Sequence, residues 1–466
     1  MSGASPDEAI PVGVQEGVQR VVLRAPPRRR RAMATLLAAA LGITGLAWTI
    51  HRRTDASGLG HVIVTDCQSR RWSKAMPVVT HPEGMVARFP RLAVGRSRTY
   101  VVGVDIQLLD NRPVRENPLV VWELGGRSIG RPPGVFTFLF PKGAVDSRDR
   151  LHLLWAEPAK HSSRIEAIQW VFLRPASIWT AIYEPSRGWS DARRLAHEAT
   201  GPEGLKWPDH RFADNLGSTH SGQGIGLPER RPPRNAPLVY LTLSDTEWTR
   251  REIPVSWAAY VSVAARDDHL FVAYVDVDES WVSSPLNPTH HDVNSVFLRI
   301  SRDGGQTWSS PSLISRSGEY PAHQVQALLG PRGDVHLLWK QETPHGTVIR
   351  HVLSRDGGTV WSEPHDLVPL GHFDNLGAVV DRCGELHLVY EDWRAGVDRI
   401  HIDYATWDGQ WSAPVHLFES LLAMTADIQL ASTGEPILVF VARDADAAAT
   451  EHFETLYARL EPGSDG

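Results

Sequence analysis

The sequence lacks the marks of several common protein classes. Its 466 residues include two cysteines, which excludes a disulfide-dense scaffold. The net charge of −6 shows no basic excess, so general nucleic-acid binding is not expected. No phosphate-cradling glycine motif, serine nucleophile elbow or zinc-finger spacing occurs. We therefore expect no cofactor, no metal and no nucleic-acid partner.

Tryptophan, proline and glycine, in contrast, are abundant. The chain has 17 Trp, 33 Pro and 38 Gly. Aromatic residues favour strands, and Gly and Pro mark turns. This composition favours many short strands joined by turns, and hence an all-β fold.

The N-terminal sixty residues differ from the rest. Residues 1–31 form a polar segment that ends in four arginines, and residues 32–50 are apolar without a charge. A helix of about 20 apolar residues crosses a bilayer, and arginines before it stay on the cytoplasmic side. The pattern predicts a single-pass signal anchor over 32–50, a linker over 51–60 and an extracytoplasmic remainder. A cleaved signal of the twin-arginine type and a buried core helix are the alternatives.

Two sequence elements alternate along the remaining chain. The first is a turn followed by Trp, as in SRDGGQTWSSPSLI (301–314) and SRDGGTVWSEPHDL (354–367). The second is an apolar strand, as in LHLLW (151–155), VHLLW (335–339) and LHLVY (386–390). Nearly continuous apolar strands indicate burial on both faces. Their alternation every 50 to 60 residues or so matches one four-stranded propeller blade.

The repeats predict a β-propeller over residues 61–460, followed by a short tail over 461–466. Seven blades are favoured and six are the alternative. Residues 61–79 carry a Trp element without inner strands, whereas the last repeat has inner strands without a Trp element. We therefore expect the N-terminal strand to complete the last blade and close the ring. The predicted blades are 88–135, 136–197, 210–256, 257–315, 320–370, 372–418 and 424–460.

The two strongest Trp elements resemble the Asp-box, S/T-x-D-x-G-x-T-W, of the sialidase superfamily. The resemblance implies a structural role on the face opposite the ligand, with the Asp accepting N–H groups of its own turn. The glycine permits a positive φ, and the Trp packs between blades. The residues concerned are Ser301, Asp303, Gly305 and Trp308, and Ser354, Asp356, Gly358 and Trp361.

Candidate ligand-binding residues lie at the other ends of the inner strands. Five aligned copies of the apolar strand, which include TYVVG (99–103) and LFVAY (270–274), have these residues two positions past the aromatic position: Asp105, Glu157, Asp276, Gln341 and Asp392. Near the starts of the inner strands stand Asp214, His323, His372 and Asp374, and Trp393 and Arg394 follow Asp392. Together they predict a polar, partly aromatic funnel. The alternative is structural, since acidic residues at strand ends often bond loop amides or pair with a nearby arginine.

The segment ARFPRL (87–92) resembles the F/Y-R-I-P-x-L segment that opens the first blade of sialidases. In that family its arginine grips the substrate carboxylate, a role that suits the planar guanidinium. The resemblance implies this role for Arg88, and it implies a general acid among Asp105 and Asp110 in the following loop. Ala87 and Phe89 depart from the pattern. Arg350, Arg394 and Arg443 are candidates for the remaining arginines by repeat position only.

Three functions are compatible with these features: an exo-glycosidase of the sialidase type, a glycan- or ligand-binding propeller without turnover, and a protein-binding scaffold at the membrane. A fold does not by itself fix which applies.

Alignment of the repeats also places both cysteines in turns on the Asp-box face of neighbouring blades. A Cys67–Cys383 disulfide could therefore staple the ring closure, although the sequence does not determine whether it forms.

Overall fold

The computed structural model describes residues 70–462 except for 82–84, 110–111, 114–118, 134–138, 159–175, 197–216, 220–221, 229–237, 245–246, 256–259, 277–294, 316–321, 370, 394–399, 421–425 and 444–452. All regular structure in this part of the chain is β-strand, which confirms the predicted all-β class. No helix in these ranges is long and apolar enough to span a membrane. The predicted anchor at 32–50 and linker at 51–60 lie outside the described residues.

The described strands form seven antiparallel sheets. The first two strands, β1 (Arg70–Trp72) and β2 (Met76–Thr80), belong to sheet 7. Sheet 1 contains β3 (Met85–Val94), β4 (Thr99–Leu109), β5 (Arg112–Pro113), β6 (Leu119–Glu123) and β7 (Arg127–Gly130). Sheet 2 contains β8 (Leu139–Val145), β9 (Leu151–Pro158), β10 (Ala176–Glu184), β11 (Gly188–Trp189) and β12 (Arg193–Ala196).

The next sheets follow in chain order. Sheet 3 contains β13 (Gly217–Thr219), β14 (Gly222–Pro228), β15 (Leu238–Ser244) and β16 (Glu247–Ile253). Sheet 4 contains β17 (Tyr260–Arg266), β18 (His269–Asp276), β19 (Ser295–Ser301) and β20 (Ser312–Ser315). Sheet 5 contains β21 (Ala322–Leu329), β22 (Val335–Thr343), β23 (Gly346–Ser354) and β24 (His365–Leu367).

The last two sheets complete the chain. Sheet 6 contains β25 (His372–Val380), β26 (Leu386–Trp393), β27 (Ile400–Trp407) and β28 (Val415–Ser420). Sheet 7 contains β29 (Asp427–Leu430), β30 (Pro436–Arg443) and β31 (Phe453–Pro462), together with β1 and β2.

The apolar strands of the repeat are the second strands of their sheets. In β22 and β26 the first seven residues are all buried, which includes the nearly continuous apolar segments VHLLW and LHLVY and the polar residues that follow them. Apolar clusters lie between successive sheets. One joins Tyr100 of sheet 1 to Leu153 of sheet 2, and another joins Trp339 of sheet 5 to Val296 of sheet 4. The described core is therefore built from contacts between sheets.

The two ends of the propeller region meet in sheet 7. Residues of β2 pair with β31 from Met76↔Tyr457 to Thr80↔Glu454, and β1 pairs with the end of β31 at Trp72↔Leu460. The side chain of Val78 then packs in one cluster with Leu92 of sheet 1. The N-terminal strands thus complete the sheet formed by the last repeat, as the sequence predicts.

A largely buried ion pair fixes the closing strand to sheet 6. Arg70 of β1 is bonded to the carboxylate of Asp381 in the turn between β25 and β26. Cys383 in the same turn is disulfide-bonded, and Cys67 is the only other cysteine in the chain. Cys67 lies outside the described residues, so its pairing with Cys383 stays a prediction.

Candidate functional site

The described part of the candidate site lies where the first two strands of sheets 5 and 6 begin and end. In sheet 5, His323 lies near the start of β21 and Glu342 lies near the end of β22. The Nε2 atom of His323 is 3.2 Å from the Oε1 atom of Glu342, and both side chains are partly exposed. This imidazole–carboxylate pair can donate and accept hydrogen bonds at the surface.

Gln341, the residue before Glu342, lies buried next to this pair. Its side chain is 2% exposed, its Oε1 accepts a hydrogen bond from the Trp339 indole at 3.0 Å, and its Nε2 donates to the Glu342 carbonyl at 3.1 Å. The sequence predicted Gln341 as a ligand-binding residue. Its contacts show that the amide holds the backbone beneath Glu342, a residue that the sequence analysis did not single out.

A β-bulge lies beside His323. The register of β21 and β22 shifts between His323 and Gln326, and the intervening Gln324 has a φ of 55° while being 5% exposed. A non-glycine residue in this conformation is uncommon, and such strain tends to persist at functional sites. The other two described non-glycine residues with positive φ, Asp149 and Asp267, lie in turns between strands.

The same bulge recurs on the first strands of other sheets. The register shifts between Arg88 and Arg91 in β3 and between Leu139 and Lys142 in β8. Phe-Pro occupies both bulges, at 89–90 and 140–141, and a basic residue follows each. Proline suits a bulge because it cannot donate a ladder hydrogen bond. The segment 87–92, which suggested Arg88 as a ligand residue, therefore contains a Phe-Pro-basic motif that recurs at 140–142. Comparison of these two segments in the sequence reveals the repeat.

Sheet 6 contributes a buried carboxylate beside an exposed indole. Asp392 is fully buried near the end of β26, whereas Trp393 is 45% exposed. The chain before β25 passes close to both, since a Cβ at Gly371 would lie 2.3 Å from the Trp393 carbonyl oxygen and 2.7 Å from Asp392 Oδ1. Only glycine allows this approach without displacing backbone. Gly371 thus holds the loop against the end of β26.

We call the ends of the second strands in sheets 5 and 6, with His323, Glu342, Asp392 and Trp393, the rim. Buried charged side chains connect the rim of sheet 6 to sheets 7 and 1. Glu391 of β26 is fully buried, and its Oε1 accepts a hydrogen bond from the Ala426 amide at 2.9 Å. Arg91 of sheet 1 donates to the Ala426 carbonyl at 3.4 Å, and Asp427 accepts from the Leu92 amide at 2.8 Å. Sheets 6, 7 and 1 are thereby cross-linked at the level of the rim. These hydrogen bonds hold the backbone next to the rim residues in place, as a preorganised binding site requires.

The remaining predicted residues are described less fully. The five predicted carboxylate and amide positions lie on the second strands of five different sheets: Asp105 on β4, Glu157 on β9, Asp276 on β18, Gln341 on β22 and Asp392 on β26. Only the strand positions are described for Arg88, Asp105, Glu157, Asp276, His372, Asp374 and Arg443. Asp110, Asp214 and Arg394 lie outside the described residues.

Arg350 is engaged elsewhere. It lies in the middle of β23, and its guanidinium donates two hydrogen bonds of 2.7 Å to Asp366 on the outer strand β24. The hydrogen bonds to Asp366 raise the pKa of Arg350 further above its ordinary value, although burial opposes the shift. This bidentate pair engages Arg350 within sheet 5. Its assignment as a ligand arginine stays a prediction.

The turns at 301–308 and 354–361 have the predicted internal network. Asp303 Oδ1 accepts the amides of Gln306 and Thr307 at 3.0 and 2.9 Å, and its Oδ2 accepts the Thr307 hydroxyl at 2.6 Å. These hydrogen bonds, that of the Thr307 hydroxyl above all, lower the pKa of Asp303 to about 2. Asp356 accepts the equivalent amides at 3.0 and 2.9 Å.

The serine, glycine and tryptophan of each turn also have structural contacts. Ser301 and Ser354 each accept an amide hydrogen bond of 2.8 Å, from Gly305 and Gly358 respectively. Both glycines have positive φ, of 87° and 89°. Trp308 packs against the cluster shared by sheets 3 and 4, and Trp361 packs against that of sheets 4 and 5. Both turns therefore hold adjacent sheets together.

A cavity of about 1100 Å³ opens on the face that carries these turns. It lies between sheets 5 and 6 and is lined by His336, His365, Trp361 and Trp407, among others. Burial lowers the pKa of His336 to about 4, so its imidazole is neutral at pH 7. His336 Nδ1 lies 3.1 Å from an Nε2 atom of the buried His351. The cavity wall is thus aromatic, with the neutral imidazole of His336 among charged residues such as Asp334 and Arg355.

The comparisons with known proteins identify no family. No protein-family model and no curated protein matches the chain. Among solved structures, a protein of unknown function from Dyadobacter fermentans is 12% identical, with a TM-score of 0.47, over 84% of this chain and 99% of that one. An α-L-arabinofuranosidase from Fusarium graminearum is 11% identical, with a TM-score of 0.42, over 84% and 98%. A sialidase from Streptococcus pneumoniae is 10% identical, with a TM-score of 0.39, over 83% and 70%.

Proposed function

We propose that this protein is a glycan-binding β-propeller of the sialidase-like type. The observation that carries the proposal is the rim of sheet 6, where the exposed Trp393 indole stands beside the buried Asp392 carboxylate. An indole presents a rigid apolar face, and exposed polar groups such as the His323–Glu342 pair of sheet 5 orient a ligand, whereas the fully buried Asp392 supports the strand end from within. Sugar rings offer both an apolar C–H face and hydroxyl groups, so they match this combination.

The rim of sheet 5 supports the same ligand class. The partly exposed His323–Glu342 pair supplies a donor and an acceptor, and the strained Gln324 lies next to it. Both rims stand on second strands whose register is fixed by bulges and by buried Gln341 and Glu391. A preorganised set of polar groups binds at lower entropic cost than a mobile one.

A closed ring of seven blades accommodates these observations. Seven sheets are described, and the first and last parts of the region share sheet 7. Closure leaves no free sheet edge and brings the starts of the inner strands around one central funnel. The glycan ligand is proposed to bind at the mouth of that funnel.

We propose further that the propeller is extracytoplasmic and that the apolar segment 32–50 anchors it in a membrane. The disulfide at Cys383 supports an oxidising compartment. Fusions of alkaline phosphatase, which is active only outside the cytoplasm, and of a fluorescent protein that matures only inside it test this orientation when joined after residue 466. Activity of the cytoplasmic reporter alone would contradict it.

Glycan binding is tested with the full-length protein in detergent on a glycan array, with Trp393→Ala as the variant. We expect at least a tenfold loss of affinity, because stacking on the indole is removed. Leu313→Ala is the matched control, since Leu313 is 46% exposed in sheet 4 and is no part of the rim. Absence of binding to every glycan, or equal loss in both variants, would contradict the proposal.

Turnover is measured in the same preparation. A panel of fluorogenic glycosides that includes α-sialosides tests hydrolysis, with Arg88→Ala as the control for carboxylate recognition. Sialoside hydrolysis that Arg88→Ala abolishes establishes the enzyme function. Binding without hydrolysis establishes a lectin-like function.

A further inference from the structure

We propose that the outer hairpin of sheet 6 contains a binding site for a transition-metal dication, with Zn²⁺ as the expected ion. The site is formed by His401, His416 and Glu419. Each offers one ligand atom, and these atoms lie within 4.8 Å of one another. Imidazole nitrogen and carboxylate oxygen are both common zinc ligands, and three protein ligands leave the fourth tetrahedral position to water.

The hairpin places these side chains on one face. His401 of β27 is paired with Glu419 of β28, and Asp403 is paired with His416. Residues two apart on a strand share a face, and directly opposed residues of antiparallel strands do so as well. The register shifts between Ile402 and Asp403, and this irregularity allows residues 416 and 419, an odd number of positions apart, to share that face.

The distances fit metal coordination. The Nδ1 atoms of His401 and His416 are 3.3 Å apart. Two ligand atoms each about 2.05 Å from a tetrahedral zinc ion lie about 3.3 to 3.4 Å apart. The two rings are inclined at 64° with centroids 4.6 Å apart, so they are not stacked face to face. The distance between the two nitrogens thus matches that between two ligands of one tetrahedral ion.

The surroundings favour a cation and leave it accessible. The fully buried Asp403 carboxylate lies 3.2 Å from His416 Nδ1 and adds negative charge beside the site. Because this carboxylate faces the same Nδ1 atom that His416 offers to the ion, its contribution is electrostatic and favours a cation there. His401 is 9% exposed, whereas His416 and Glu419 are exposed. The ion would therefore bind between the nearly buried His401 and the exposed His416 and Glu419, where solvent can reach it.

A second group with metal-compatible spacing serves as an internal control. Asp381, Glu385 and His387 also bring their ligand atoms within 4.8 Å of one another. There, however, Asp381 is already bonded to Arg70, whose positive charge opposes a cation. We expect no ion at this second group.

The test is a Zn²⁺ titration of the metal-free full-length protein by isothermal calorimetry, with Co²⁺ absorption as an independent report of coordination. We expect one equivalent to bind and Co²⁺ to give the intense visible bands of a four-coordinate site. His416→Ala and Glu419→Gln are each expected to weaken binding at least tenfold. Glu385→Gln, in the second group, and His345→Ala, on the exposed hairpin after β22, should bind as the parent does.

The melting temperature of each variant in a chelating buffer separates loss of the site from loss of the fold. His416→Ala and Glu419→Gln should melt there as the metal-free parent does. The proposal is overturned if Zn²⁺ does not bind stoichiometrically, if both ligand variants bind as the parent does, or if Glu385→Gln abolishes binding. A variant that melts early in chelator is replaced by His416→Gln, which retains a side chain of similar length at the same position.

Discussion

Replacement of Asp381 by asparagine should weaken the closure between sheets 6 and 7. The side chain is 1% exposed, and its Oδ1 accepts the amides of Cys383 and Glu385 at 2.8 and 2.9 Å. Its Oδ2 is bonded to Arg70 and lies 3.4 Å from His387 Nε2. Asparagine retains one acceptor for the amides but loses the negative charge that Arg70 faces.

The size of the effect follows from the pKa of this carboxyl. Burial opposes ionisation, but hydrogen bonds from His387 and Arg70 outweigh it and lower the pKa from 3.8 to about 2. A shift of this size corresponds to about 2 to 3 kcal/mol of unfolding free energy at pH 7. Because the folded-state pKa is the lower one, this stabilisation is complete above about pH 4 and is lost as the pH falls towards 2.

The measurement is urea unfolding followed by tryptophan fluorescence, in the oxidised protein, at pH 7 and at acidic pH. We expect Asp381→Asn to lower the unfolding free energy by about 2 to 3 kcal/mol at pH 7 and to reduce its fall between pH 4 and 2. Asp366→Asn is the control, because its ion pair with Arg350 is partly exposed and should contribute less than about 1 kcal/mol. Equal losses in the two variants, or an unchanged pH profile in Asp381→Asn, would refute the reasoning.

Three further predictions concern the disulfide at Cys383, the rim of sheet 6 and the buried His336. Cys383→Ser should lower the melting temperature, because a disulfide between Cys383 and Cys67, the other cysteine of the sequence, closes a loop of about 300 residues, for which chain entropy gives up to about 6 kcal/mol. An unchanged melting temperature in non-reducing buffer would contradict it. Gly371→Ala should shift the end of β26, since the new Cβ meets the Trp393 carbonyl at 2.3 Å, and should therefore weaken glycan binding on the array; binding at the parental affinity would show that the loop yields. The unfolding free energy should fall by roughly 3 kcal/mol from pH 6.5 to 4, because His336 has a pKa of about 4 in the fold and about 6.5 unfolded. His336→Leu should flatten the acid profile in urea titrations, and a profile as steep as the parent's would assign the loss to other groups.

Much of the fold was predictable because its signals are local. The apolar strands at 335–339 and 386–390 carry their burial in their own sequence, and the Ser-x-Asp-x-Gly turns close hydrogen bonds within five residues. Such contacts depend on few dihedral angles, so the residue types alone predict them. The all-β class, the structural turns and the joining of both ends in sheet 7 follow from this local information.

The candidate site was less predictable, because its residues come from different strands and sheets. The sequence pointed to Gln341 as a ligand residue, and the structure shows its buried amide bonded to the Trp339 indole and the Glu342 carbonyl. It pointed to Arg350 by repeat position, whereas Asp366 on the next strand binds that guanidinium. In both cases the neighbouring partner, which repeat position does not specify, decides the role.

The sequence by itself therefore determined the strands, the turns and the pairing of the chain ends, since alternation, turn chemistry and repeat spacing are encoded over short distances. Only the tertiary structure decided which polar side chains meet. The register of β27 and β28, shifted at Ile402, brings together His401, His416 and Glu419, whose spacing along the chain matches no familiar metal motif. The physical reason is that one residue of register moves every side chain of a strand to the other face. That register is set by packing against the neighbouring sheets, which a linear pattern does not contain.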